Sequence, residues 1–119
     1  MAADLAKGIE LLRAGEYFAA HEALEDGWRA AAAEDRDFYQ GLVHVAVAWY
    51  QAGRGRPVAT ARQLEKAARR LGPYAPEHLG VDVASVLDQV DAARHRVAEG
   101  RLDLEAPRME GPAQQMTDP

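Results

Sequence analysis

Between Glu16 and Trp28 the chain reads EYFAAHEALEDGW, a histidine and three carboxylates set in the middle of a run that otherwise looks like helix core. At 100° per residue, Tyr17, Ala20, His21, Leu24 and Trp28 fall on one stripe that faces inward. Glu25 lies on its flank, and Glu22 and Asp26 point toward water. Glu25 follows His21 by one turn, where a carboxylate can accept a proton from the imidazole or share a cation with it.

A second polar line runs through DFYQGLVHVAVAWYQAG, where Gln40, His44 and Gln51 break an apolar surface with Val47 between them. If this line meets the His21 and Glu25 edge, two histidines, a glutamate and a glutamine come together and can satisfy one another's hydrogen bonds. Three chemistries fit such a cluster. It can be a structural network that fixes one helix against the next. It can be a ligand- or substrate-binding pocket lined by Tyr17, His21, Glu25, Trp28, Gln40 and His44, in which His21 and Glu25 are recognition groups of a binding module or, alternatively, acid–base groups of a small hydrolase-like or metal-assisted enzyme. It can also be a metal site on His21, Glu25 and His44, ligands that zinc accepts, although only His21 and Glu25 have a fixed spacing.

More specific signatures fail. HEALE places Glu25 where the HExxH metalloprotease helix needs its second histidine, and the paired Glu-x-x-His of di-iron bundles is missing. GRGRP follows a helix and has no strand before it, so it does not read as a phosphate loop. No cofactor is expected. His78, in a loop, and His95, among arginines, are expected at the surface.

The elements that must position these residues are helical almost throughout. Asp4 caps a first helix to about Ala14, ended by Gly15. A second runs from Glu16 to about Ala32. Asp35 is placed to cap a third, apolar nearly all round and therefore buried on most sides, which stops at Gly53. Pro57 suits the first turn of a fourth. LGPYAPEHLG, with two prolines and two glycines, reads as a loop without regular structure. Asp82 then caps a fifth helix with Val83, Val86, Leu87, Val90 and Val97 on its inner stripe, closed by Gly100. Leu102 and Leu104 can lie extended over the core. A single domain is expected over residues 1–109, with a flexible tail over 110–119.

With 119 residues, about half of them apolar, the chain can bury one modest core. No apolar run approaches the roughly 18 residues of a membrane span, and the start carries no secretory pattern, so a cytoplasmic location is expected. There is no cysteine, which removes thiolate chemistry and disulfides. A net charge of -5 argues against nucleic acid. The exception is RPVATARQLEKAARRL, with five basic residues against Glu65 alone. There Arg62, Lys66 and Arg69 share one face, and Leu64, Ala67, Ala68 and Leu71 share the other.

GIELLRAGEYFAAHEALEDGW and the later GLVHVAVAWYQAGRGRPVATARQLEKAARRL carry small and large residues at spacings like those of a tetratricopeptide helix pair. The expected fold is therefore all-α, five helices in antiparallel hairpins, tetratricopeptide-like. A homodimer is a reasonable partner arrangement for the apolar third helix. GEYFAAHEALEDGW, followed by DFYQGLVHVAVAWYQAG and GVDVASVL, resembles the bacterial and archaeal family known as domain of unknown function 309. Its recurring positions stand here as Gly15, Glu16, Tyr17, Phe18, Ala20, His21, Glu22, Leu24, Glu25, Trp28, Phe38, Gln40, Gly41 and Leu42. Members tend to carry glutamine where this chain has His44, and histidine near Gln51. The resemblance implies a compact helical fold and no particular activity, so the expected function is a non-enzymatic binding module for a protein or small molecule.

Overall fold

The computed structural model describes residues 3–109. Five helices follow one another: α1 (Ala3–Arg13), α2 (Tyr17–Ala30), α3 (Arg36–Gly53), α4 (Pro57–Leu71) and α5 (Val83–Ala98). Each packs against the next, so the chain folds up and down through successive antiparallel hairpins. The turns are set locally. Gly15, Gly55 and Gly100 hold positive φ where helices end, a backbone region that residues with a Cβ rarely enter. Pro57 opens α4 at a position whose N–H would be unpaired in any case.

Three glycines set how closely the helices cross. A Cβ on Gly8 would lie 2.6 Å from Leu24 Cγ, one on Gly27 2.5 Å from Tyr39 Cε1, and one on Gly41 2.5 Å from Leu71 Cγ. The pairs therefore tie α1 to α2, α2 to α3 and α3 to α4 at distances only glycine permits. Around them Leu5, Ile9, Leu12, Leu24, Phe38, Leu42, Leu64, Leu71, Val86 and Val90 form one continuous core. Burial of each large side chain contributes roughly 1.5–3 kcal/mol. α3 is the centre of this core.

Between α4 and α5 the structure departs from the expected unstructured loop. Gly72–Tyr74 form a 3-10 turn, Ala75–Pro76 is cis, and β1 (Glu77–His78) pairs antiparallel with β2 (Val81–Asp82). The two residues between the strands, Leu79 and Gly80, have φ of 52° and 83°, the positive pair that a tight type I′ hairpin requires. Gly80 N–H also donates to the Glu77 carboxylate at 2.7 Å. Asp82 caps α5 as expected, accepting from Ser85 N–H at 2.9 Å.

Asp35 stands at the N-cap of α3 but its side chain caps nothing. It bonds His78 Nε2 at 2.7 Å instead. His78 is thus not a free surface residue, since its ring is half-buried against Phe38 and Tyr74, with centroids 4.8 and 4.6 Å away. His95 is exposed, as expected.

After α5 the chain turns back and runs extended over residues 101–109. Trp49 Nε1 donates to the Glu105 carbonyl at 2.7 Å, and the Gln89 side-chain amide both donates to the carbonyl and accepts from the N–H of Arg108. Leu104 packs on the core and Met109 is buried. The expected tail over 110–119 lies outside the described residues. Among those described, no helix is long and apolar enough to cross a membrane.

Candidate functional site

From Phe38 to Ala52 every residue of α3 is buried except Gln40, His44, Val47, Tyr50 and Gln51. Their spacing of three and four residues makes a single stripe along the helix. α2 and α4 pack on α3 from its two sides, and the stripe lies open between them. It forms the floor of a groove with walls from two helices.

α2 supplies one wall with Tyr17, His21, Glu25 and Trp28, all half-buried, while Ala20, Ala23, Leu24 and Gly27 take the core. This corrects the inward placement of His21, which stands at the groove edge rather than in the core. Its Nε2 lies 3.4 Å from Glu25 Oε1, and its Nδ1 lies 3.3 Å from the Phe18 carbonyl. Glu25 also approaches Arg29, at 3.9 Å. Glu22 and Asp26 are exposed, as the helical geometry requires.

α4 supplies the other wall with Gln63, Lys66 and Arg70, each half-buried. Here His44 finds its partner: its Nδ1 lies 2.7 Å from Gln63 Oε1, so the ring N–H donates to the amide oxygen. Burial and the positive charges of Arg70, Lys66 and Arg69 hold the His44 pKa below its ordinary value, against the opposing effect of the Gln63 hydrogen bond. The imidazole is consequently neutral at pH 7.

Of the six residues expected to share a pocket, five are therefore divided between two places on the groove. Toward the α2 N-terminus, Tyr17, Phe18 and His21 meet Val47, Tyr50 and Gln51 around an apolar cavity of about 150 Å³. Phe18 stacks on His21 at 5.2 Å and on Tyr50 at 5.6 Å, and is 53% exposed, an unusual position for a phenylalanine. Toward the other end, Trp28, Arg36, Asp37, Gln40 and His44 meet Lys66, Arg69 and Arg70 around a cleft of about 360 Å³. Arg36 lies over the Trp28 ring at 5.9 Å, within cation–π range. Glu25 lines neither cavity.

Two corrections follow. His21 and His44 do not join Glu25 in one cluster, because the antiparallel packing of α2 on α3 sets His21 beside Val47 and Gln51 and leaves His44 to α4. Among the described residues no three histidine, aspartate or glutamate side chains come together as a metal site. The basic face of α4 is also divided: Lys66 and Arg69 border the groove, whereas Arg62 sits with Val58, Arg94 and Val97 on the α5 side.

Sequence reasoning missed Gln63, Arg36, Phe18 and Tyr50. Gln63 did leave a signal, since it precedes Lys66 and Arg70 by three and seven residues and so shares their face. Larger cavities lie beneath the extended segment 101–109, where they are gaps between that segment and α5.

A family model described as Domain of unknown function (DUF309) matches residues 5–63, which span α1, α2, α3 and the start of α4. No curated protein and no solved structure matches the chain.

Proposed function

We propose that this chain, a member of the DUF309 family over residues 5–63, is a non-catalytic binding module whose ligand lies in the groove on α3. The observation that carries the reading is the stripe Gln40, His44, Val47, Tyr50 and Gln51, left open on a helix otherwise buried from Phe38 to Ala52. What sets the face apart is its enclosure, with α2 on one side and α4 on the other. Here that face mixes amide, imidazole and apolar groups, the composition of recognition surfaces. The successive hairpins and the floor-and-walls arrangement support a likeness to tetratricopeptide arrays, which bind along concave faces.

A catalytic reading finds less support. The His21–Glu25 contact is 3.4 Å long and sits at the groove edge with 37% of the Glu25 side chain exposed, so water screens it. The hydroxyls near His21 are the phenols of Tyr17 and Tyr50, and the Tyr17 pKa is raised by burial. Such a phenol is a poor nucleophile at neutral pH.

The test is an NMR titration of isotope-labelled protein with a mixture of anionic, cationic and neutral aromatic fragments. Shifts gathered at the amides of the α3 stripe and at the facing residues of α2 and α4 are expected. Shifts scattered over the surface, or none at any fragment concentration, overturn the reading.

A further inference from the structure

The two ends of the groove differ in chemistry, and the difference describes an occupant. At one end Tyr17, Phe18, Val47 and Tyr50 surround an apolar cavity of about 150 Å³, a size that accepts a benzene-sized group. At the other, Arg36, Lys66, Arg69 and Arg70 outnumber Asp37, the one carboxylate in the cleft's lining, on a protein whose net charge is -5. Arg69 and Arg70 are matched by Glu65 and Asp37, at 2.8 and 2.7 Å. Arg36 and Lys66 pair with no carboxylate among the described residues.

Each end also carries an unpartnered polar atom. Gln51 and Arg70, which line the two ends, hold an Oε1 and an Nε shielded from solvent and without a hydrogen-bond partner among the described residues, as does Arg96 Nε outside the groove. A buried acceptor calls for a donor and a buried donor for an acceptor. His44 and Gln51 are seven residues apart on α3, or about 10 Å at 1.5 Å per residue. The groove therefore presents an apolar socket beside Gln51 and a cationic cleft beside His44, the two α3 positions about 10 Å apart along the helix.

We infer that the groove binds an acidic peptide segment of a partner protein, one bulky apolar side chain entering the socket and carboxylates meeting Lys66, Arg36 and Arg70. The inference rests on the reading of the groove as a binding site. A peptide supplies the required groups together: an apolar anchor for the socket and carboxylate oxygens for the cleft. A free small anion would fill the cleft and leave the socket empty. Trp28 edges the cleft and offers its fluorescence as a reporter.

The experiment uses the full chain and labelled synthetic peptides carrying one phenylalanine with glutamates three or seven residues away, spacings that span ~10 Å in extended and helical form. Fluorescence anisotropy should show saturable binding. Affinity should fall at least ~10-fold when the glutamates become lysine or the phenylalanine becomes alanine, and fall steeply with added salt. Lys66→Glu and the milder Lys66→Gln should each weaken binding by ~10-fold or more, whereas Arg62→Glu, on the α5 side, should leave it within ~2-fold. Circular dichroism checks that each variant is folded.

Equal binding of the lysine peptides, or equal loss in the Arg62 and Lys66 variants, overturns the inference. So does competition by inorganic phosphate that is as strong with or without the phenylalanine, which would mean a small-anion site. A dimer that dissociates when Phe18→Asp is introduced would make a second copy the occupant and also overturn it. If no peptide binds while fragments still shift the α3 stripe, the peptide is refuted and the groove reading stands; if neither acts there, both fall.

Discussion

His44 on α3 and Gln63 on α4 are joined by a 2.7 Å hydrogen bond in which the imidazole Nδ1–H donates to the amide oxygen. The bond turns the histidine away from His21 and ties it to the basic wall. It also places an ionisable ring where burial and three cations oppose its protonation.

That opposition predicts a pH dependence of stability. His44 has a folded pKa below the ordinary 6.5, so as pH falls through 6.5 the unfolded chain takes up a proton that the folded chain resists. Its contribution to stability is fully retained above 6.5 and is lost progressively as pH falls toward the folded value. Urea denaturation of the wild type and His44→Gln, from pH ~8 to ~5, should show the wild type losing stability relative to the variant on the acid side. Parallel curves would contradict this.

Gly41 and Gly53 predict opposite responses to the same substitution. Gly41→Ala drives a methyl to 2.5 Å from Leu71 Cγ and should destabilise the fold by about 1–3 kcal/mol. Gly53→Ala meets nothing within 4 Å and should stabilise it by about 0.4–1 kcal/mol through the unfolded chain. Thermal denaturation of the two variants checks the contrast.

The Asp35–His78 contact anchors the small hairpin to the start of α3. Asp35→Ala should cost about 1–3 kcal/mol. Hydrogen exchange should quicken at Glu77–Asp82 before it quickens in α3; uniform loss of protection would assign Asp35 a global role instead.

Trp49→Phe removes the donor that holds the Glu105 carbonyl. A loss of about 1 kcal/mol is expected, with faster tryptic cleavage at Arg101 and Arg108. Unchanged cleavage would mean that the paired bonds from Gln89 to Arg108 suffice to hold the segment.

The fold was readable because its signals are local. Alanine-rich amphipathic runs, Pro57 at a first turn and Asp82 before Ser85 each act within a few residues. The β-hairpin was missed because Leu79 is not a residue that announces positive φ, and only Gly80 marked the turn. His78 was misjudged for a different reason. Its partners Asp35 and Phe38 lie some 40 residues earlier in the chain, and no spacing rule connects them.

For the groove, helical geometry separated Glu22 and Asp26 from His21 and Glu25 correctly, and placed Gln40, His44, Val47 and Gln51 on one line. It could not say which neighbour that line would meet. Two helices flank α3, and His44 had a carboxylate-bearing candidate on one side and an amide on the other. The choice between them was made by the antiparallel register of α2 on α3, which the Gly27–Tyr39 contact sets.

The nearest neighbours that a Cβ on Gly8, Gly27 or Gly41 would meet are Leu24, Tyr39 and Leu71, all of them core residues outside the α3 stripe. His44 and Val47 nevertheless also hold the helices together, the one through Gln63 on α4 and the other against the core, so a change at either alters how α3 meets its neighbours. The open face of α3 and the packing beneath it are therefore not separable, and redrawing the one changes the other.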